Sequence, residues 1–420
     1  MKKLIPTMFS FGLLCLVAAC HKDHVAGTGT TTDSTTTGIL NVHLLNSFNY
    51  WQDTGNIYVE LIISEPGGKV LLDTVTLKGT PITASLHTNA TRVDLTSVCY
   101  ESFLKFYQAV TCKDVNPSNW TNDNLLSYQA PVGIRPAILP VDTIWYTNVP
   151  GENMALFSES PFGNVLTDLT RPTTIGFGYF YVPGNYAYMS IQSLLLYKFY
   201  QPQKATDTVD CTKMDTLSTA SYPASSYYSF YSTWLDGYTD SSDLNSQLLL
   251  WISYLNAGTP VVSPLAYPTR NIQKYAMVAG FQHSPNEYAN IYTAGSSVNT
   301  NFSYPDPNSY TITSSRNTNF NVTWNATKPS YYTCSWGDSA VLNYTIYASP
   351  DTTSLDPVAL LTAQRSRMLQ GQDLTKLKFG AFGFETVQGL DYPGYIDLCT
   401  DSNAVRQNHI ASGIEYWRSF

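Results

Sequence analysis

From Ile39 onward, apolar and polar residues alternate with a period of two, in short runs separated by Gly, Pro, Asn and Asp. That period places successive side chains on opposite faces of a strand. NIYVELIIS (56–64) and KVLLDTVTL (69–77) flank Pro66-Gly67-Gly68, the pattern of a hairpin. TRVDLTSVCYE (91–101) and FLKFYQAVTCKDV (103–115) continue it, with Val93, Leu95, Val98, Phe106 and Val110 as the expected core side. Strands this short, punctuated this often, predict an immunoglobulin-like β-sandwich over 38–118.

A second segment, 119–310, opens with the polar stretch NPSNWTNDN and with Pro131, Pro136 and Pro140, which read as a linker or irregular edge. TTIGFGYFYVPGNYAYMSIQSLLLYKFY (173–200) predicts two strands about a turn at 183–185, with Phe177, Tyr179 and Tyr181 lining one face. In SSDLNSQLLLWISYL (241–255), Leu244, Leu248, Trp251 and Leu255 fit a helical stripe, while Leu248–Leu255 equally fits a strand buried on both faces. The β-rich surroundings favour the strand. In the third segment, 311–420, TITSSRNTNFNVTWN and AVLNYTIYAS alternate again, with Phe320, Val322 and Trp324 on one side. One helix is expected near 356–369, with Asp356 as its cap, Pro357 in its first turn and Leu360, Leu361, Gln364 and Met368 at helical spacing. LKFGAFGFE and GYIDLC are read as closing strands. The fold class is therefore all-β, in two or three β-sandwich domains with one short helix.

The first 38 residues follow none of these periods. Lys2 and Lys3 precede an apolar stretch from Leu4 to Ala19 that contains Pro6, Thr7 and Ser10 and ends in small residues before Cys20. This is the build of a secretory signal peptide, too short and too interrupted for a retained span. Val17-Ala18-Ala19-Cys20 resembles the lipobox of bacterial lipoproteins. The resemblance implies cleavage after residue 19, lipidation of Cys20, and a membrane partner reached through that anchor. Diacylglycerol with an amide-linked chain exceeds what stable anchoring requires, since each buried methylene contributes about 0.8 kcal/mol. His21 in the position after the cysteine, where inner-membrane retention uses Asp, points to outer-membrane sorting. Lys22-Asp23 is loosely similar to the charged export signal of surface lipoproteins of Bacteroidetes. Residues 20–38, including VAGTGTTTDSTTTG, cannot bury enough apolar surface to offset their ordering entropy and read as a flexible tether.

Composition narrows the function classes. Without residues 1–19 the basic count falls from 23 to 21 against 31 acidic residues, a net charge of about −10. Without clustered Lys and Arg, nucleic-acid binding is set aside. Charged residues make up 13% of the chain, against ~25% in typical globular proteins, so solubility rests on neutral polar side chains. Besides Cys20, the mature chain has Cys99, Cys112, Cys211, Cys334 and Cys399. Cys99 and Cys112 lie on a potential hairpin, where a disulfide would contribute ~3 kcal/mol; buried reduced thiols are the competing reading. No zinc-spaced Cys/His set, nucleophile elbow, phosphate loop or calcium loop is present, so no metal and no cofactor is expected.

Two aromatic groups are the candidate chemistry. SYYSFYSTWLDGYTD (226–240), as a strand, places Tyr228, Phe230 and Trp234 on one face and Tyr227 and Tyr231 on the other. Trp234 with Asp236, Tyr238 and Asp240 would then suit a sugar, whose C–H face lies on an aromatic ring while its hydroxyls bond nearby groups. Tyr331, Tyr332 and Trp336, between Pro329 and Gly337, form a second candidate platform with a loop-like look. The competing reading packs both groups between sheets. The order of lipidated cysteine, tether, immunoglobulin-like domain and aromatic-rich β domains is similar in plan to the glycan-binding lipoproteins of Bacteroidetes polysaccharide-utilisation systems. It implies a non-catalytic, outer-membrane-anchored glycan binder. The alternatives are a structural or adhesive envelope protein that binds other proteins, and a glycoside hydrolase whose acid pair is separated in sequence.

Overall fold

A computed structural model describes residues 39–44, 58–77, 82–101, 106–115, 142–150, 153–159, 163–169, 173–179, 186–243, 246–254, 265–338, 341–400 and 412–420. Residues 1–38, where the signal segment, the lipidated Cys20 and the tether are expected, lie outside them. The fold is all-β with several sheets, and Gly38–Phe420 forms one compact unit. No helix among the described residues is long and apolar enough to cross a membrane.

One sheet of twelve strands organises that unit. Its order is Gln247–Tyr254, Ser229–Tyr238, Lys274–Ser284, Glu287–Gly295, then Gly413–Ser419, Lys378–Val387, Tyr331–Asp338, Leu342–Ala348, then Phe106–Val115, Val93–Glu101, Tyr58–Ser64 and Val70–Leu77. Each of the three sequence segments therefore supplies four consecutive strands. The segments expected as separate sandwiches are joined edge to edge by backbone hydrogen bonds. Glu287–Gly295 pairs antiparallel with Gly413–Ser419, and Leu342–Ala348 pairs parallel with Phe106–Val115. Each junction covers a strand edge that would otherwise present unpaired N–H and C=O groups.

Smaller sheets layer onto this one. In the C-terminal third, Tyr310–Arg316, Asn319–Trp324 and Ser354–Leu355 form a three-stranded sheet, and its Phe320 and Val322 pack against Tyr332, Trp336 and Phe382 of the main sheet. In the middle third, Asn153–Glu159 and Ala187–Ile191 lie side by side in a five-stranded sheet and bury side chains on both of its faces. Leu156 and Tyr188 join the core with Leu235 and Leu248, while Phe157 and Met189 join Ile144 and Tyr146 of a further sheet. The same sheet covers the edge strand Gln247–Tyr254: Leu249 N–H donates to Ser158 Oγ (2.8 Å), and Tyr188 O–H donates to the Leu250 carbonyl (3.2 Å). In the N-terminal third the second layer is a pair of strands, Ile39–Leu44 with Ile82–His87.

The hairpin about Pro66-Gly67-Gly68 forms as expected, with Gly68 at φ +85°, and 247–254 is a strand. The helix Pro357–Gln364 also forms; Asp356 accepts from Ala359 N–H (2.8 Å) and Arg365, in the left-handed region, ends it. Two expectations fail. Thr173–Tyr179 and Ala187–Ile191 belong to different sheets and form no hairpin, and the 183–185 turn lies outside the described residues. GYIDLC is helical, part of Tyr392–Thr400. Asp391 accepts from Gly394 N–H (2.9 Å) and Pro393 sits in the first turn, the start signal also found at Asp356-Pro357. Tyr392, Tyr395 and Ile396, at helical spacing, are buried against the strand Phe106–Val115 and its neighbours.

Candidate functional site

The strand Ser229–Tyr238 carries the first aromatic group, and a bulge decides which way each side chain points. Against Lys274–Ser284, Phe230 pairs with Phe281 and Ser232 pairs with Gly280, leaving Tyr231 as the extra residue. One extra residue inverts the alternation beyond it. Phe230 and Leu235 consequently share the core face, and Trp234 turns to the opposite face, where it is 37% exposed. An uninterrupted strand would have put Trp234 beside Phe230. Its indole N–H donates to both Asp236 carboxylate oxygens, each at 3.0 Å, which fixes the ring from below. Asp236 is buried, and burial pushes its carboxyl from the ordinary 3.8 up to about 7, opposed by hydrogen bonds from Trp234 and Gln247. Tyr238 is buried and offers no open ring face.

Strand register assembles the rest of this face from residues far apart in sequence. Ser232 pairs with Gly280, Gly280 with Asn290, Asn290 with Glu415, Glu415 with Glu385, and Glu385 with Tyr331. Directly paired residues point the same way, so these six positions form one row across six strands, about 24 Å at ~4.8 Å per strand. Gly280 leaves room in the row, because a Cβ there would meet Ser232 Oγ at 2.6 Å. The rows on either side bring aromatic rings, Trp234 and Tyr292 on one flank and Tyr288 and Trp417 on the other. Trp417 lies flat over Gly383, where any Cβ would meet its ring at 2.4 Å. Tyr288 is 37% exposed.

The row grades from open to closed. Ser232, Asn290 and Glu415 are half-buried, whereas Glu385 is buried and Tyr331 donates a hydrogen bond to it. Tyr395 of the helix Tyr392–Thr400 stacks on Tyr331 at 4.4 Å and closes that end. Asn290 Nδ2 and Tyr292 O–H both donate to Glu415 Oε2 at 2.8 Å. Burial first, and then the facing Glu415 charge, push the Glu385 carboxyl from 4.5 up to about 8. Glu385 therefore carries a proton at neutral pH, which relieves the repulsion between two acids paired across strands.

The second aromatic group is a core element. Tyr331, Tyr332 and Trp336 lie in the central strand Tyr331–Asp338 and are 6%, 0% and 0% exposed. The loop-like look of Pro329 and Gly337 marks the ends of that strand, and Phe320 meets Trp336 edge-on at 5.6 Å. Of the three, Tyr331 alone reaches the site, at the closed end of the row, where it donates to Glu385. Cys99 and Cys112 do lie on paired strands, but no disulfide joins them. Cys99 pairs with Gln108 and Cys112 with Leu95, so the two are offset by four positions, ~13 Å along the strands and beyond disulfide reach. No group of three or more His, Cys, Asp or Glu residues among the described ones could hold a metal ion.

Sequence reading missed Tyr288, Asn290, Tyr292, Glu385, Glu415 and Trp417. Their only shared signal is register, which depends on a pairing between segments more than a hundred residues apart. No protein-family profile matches the chain, and no curated protein sequence matches it. Chemically, the face offers two exposed rings, a bordering indole, an amide, a hydroxyl and an accepting carboxylate, all on rigid strands. Such a set holds a ligand with both apolar C–H faces and many hydroxyls.

Proposed function

We propose that this face binds a glycan without catalysis, in a lipoprotein anchored through Cys20 to the outer membrane. The supporting observation is the pairing of pinned and exposed rings: Trp234 held by Asp236, and Tyr288 across a polar row that includes Asn290 and Glu415. A ring that is already fixed loses little entropy on stacking against a sugar. Among the described residues, the paired carboxyls Glu385 and Glu415 favour a hydrolase. Glu385 is sealed beneath Tyr331 and Tyr395, however, and a buried acid cannot protonate a glycosidic oxygen in a ligand lying on the face.

The test is a glycan-array screen of the purified protein with Trp234→Ala and Tyr288→Ala. Binding that falls about tenfold or more in both variants, with unchanged circular dichroism, supports the reading. Binding that survives both changes removes this face as the site. Silence across the array, with capture of an envelope protein, moves the function to adhesion. Mass spectrometry of native material checks the anchor: Cys20 should carry thioether-linked lipid, and an unmodified thiol would refute the tethered reading.

A further inference from the structure

The turn 315–318, the end of the strand Tyr331–Asp338 and residues 375–379 enclose a cleft of about 920 Å³, within the range typical of small-ligand sites. Its charged lining is Arg316, Lys376 and Lys378 against a single acid, Asp338. That inverts the balance of the chain, which has 23 basic and 31 acidic residues. Lys113 and Arg367 are each engaged by a carboxylate at 2.7 Å. Arg316 and Lys378, by contrast, are in no ion pair among the described residues. Lys376 makes an exposed 3.6 Å contact with Asp373, which water screens.

The cleft walls are tied together. Asn317 Nδ2 donates to the carbonyls of Thr375 and Leu377, both at 2.9 Å, so the turn carrying Arg316 is fastened to the segment carrying Lys376 and Lys378. Val358 N–H donates to the Asn317 carbonyl (3.1 Å) and adds the neighbouring helix to the support. Phe379, half-buried on Trp336 at 5.6 Å, gives the cleft an aromatic surface beside its cations. A guanidinium fork and an ammonium that line one cleft match a planar or tetrahedral anion, and an aromatic ring matches a sugar's C–H face.

We propose that this cleft binds an acidic oligosaccharide, its carboxylate or sulfate held by Arg316 and Lys378 and a sugar ring resting on Phe379. The cleft shares no residue with the Trp234 face, so the two sites succeed or fail separately. The test is calorimetric titration of the purified protein with trigalacturonic acid and with a sulfated dextran oligomer. The neutral controls are the galacturonate methyl ester and the unsulfated dextran oligomer, and orthophosphate is titrated alone. At least one acidic probe should bind, more weakly at high salt, with affinity reduced about tenfold or more by Arg316→Ala or Lys378→Ala and unchanged by Trp234→Ala. Both side chains are exposed, so circular dichroism should be unaltered. The proposal is overturned if neither acidic probe binds, if a neutral control binds equally well, or if both cleft variants bind as wild type. Orthophosphate binding as tightly as the oligomers would overturn the saccharide assignment.

Discussion

Glu385 and Asp236 are the two carboxyls whose burial most clearly sets their protonation, at about 8 and about 7. Between the ordinary carboxyl range and those values, the folded protein keeps protons that the unfolded chain releases. Stability therefore falls as pH rises through that window and levels off above it. Each unit of displacement corresponds to about 1.4 kcal/mol, so the two sites together remove several kcal/mol of stability across that window. Urea midpoints should decline steadily from acid to mildly alkaline pH, and Glu385→Gln should flatten the upper part of that decline. The amide keeps an acceptor for Tyr331 while losing the charge that faces Glu415. A midpoint for Glu385→Gln that still tracks the wild type above neutrality would show that Glu385 is not the titrating group. At the same scale, Asp236→Asn replaces the two-oxygen cradle of the Trp234 indole with one acceptor. The ring loosens, and glycan affinity should drop severalfold with the fold retained, as read by titration of the same ligand found for wild type.

At the scale of elements, Asp356-Pro357 announced its helix, and Asp391-Tyr392-Pro393 carried the same information at the second helix. The second was masked by the strand-like look of GYIDLC, whose Tyr395 and Ile396, with Tyr392 just before it, suit either period over so short a run. Asp391→Ala should therefore destabilise by about 1 kcal/mol, as a lost cap does elsewhere, and chemical denaturation would detect it. The bulge at Tyr231 was not legible at all, because nothing in SYYSFYSTWLDGYTD distinguishes an extra residue from an ordinary outward-facing one. Removing Tyr231 would leave Phe230 and Ser232 adjacent and on opposite faces, in the pairs they already make with Phe281 and Gly280, so Trp234 would stay outward and Leu235 inward. Deletion of Tyr231 should therefore keep cooperative folding, as should Tyr231→Ser at a position 49% exposed, whereas one residue inserted between Thr233 and Trp234 should drive Trp234 toward the core and lower the midpoint sharply. A midpoint for the insertion variant close to that of the wild type would mean that the alternation beyond the bulge does not set the register.

For the molecule as a whole, strand content was readable because local alternation encodes it, whereas the union of three segments into one sheet was not. Parallel pairing of Leu342–Ala348 with Phe106–Val115 and antiparallel pairing of Glu287–Gly295 with Gly413–Ser419 are long-range choices that no window of sequence reports. Side chains reinforce the first junction. Glu60 accepts from the backbone N–H groups of Arg367 (2.6 Å) and Met368 (3.1 Å) and from the Ser366 hydroxyl, and Gln364 donates to Thr96 (2.8 Å). The N-terminal strands are thus held by groups from the C-terminal third. Replacing Glu60 with Ala would strand three donors in a dry site at about 1–3 kcal/mol for each group left unpaired. Shared edges and shared buried polar groups couple the segments thermodynamically, so calorimetry of the purified protein should show a single transition with matching calorimetric and van't Hoff enthalpies. Residues 38–118 expressed alone would leave the edge of Phe106–Val115 open and Glu60 unsatisfied. That fragment should show no cooperative melt and should aggregate. A fragment that melts sharply by itself, or a full chain that melts in separate steps, would mean that the junctions join domains already stable without them.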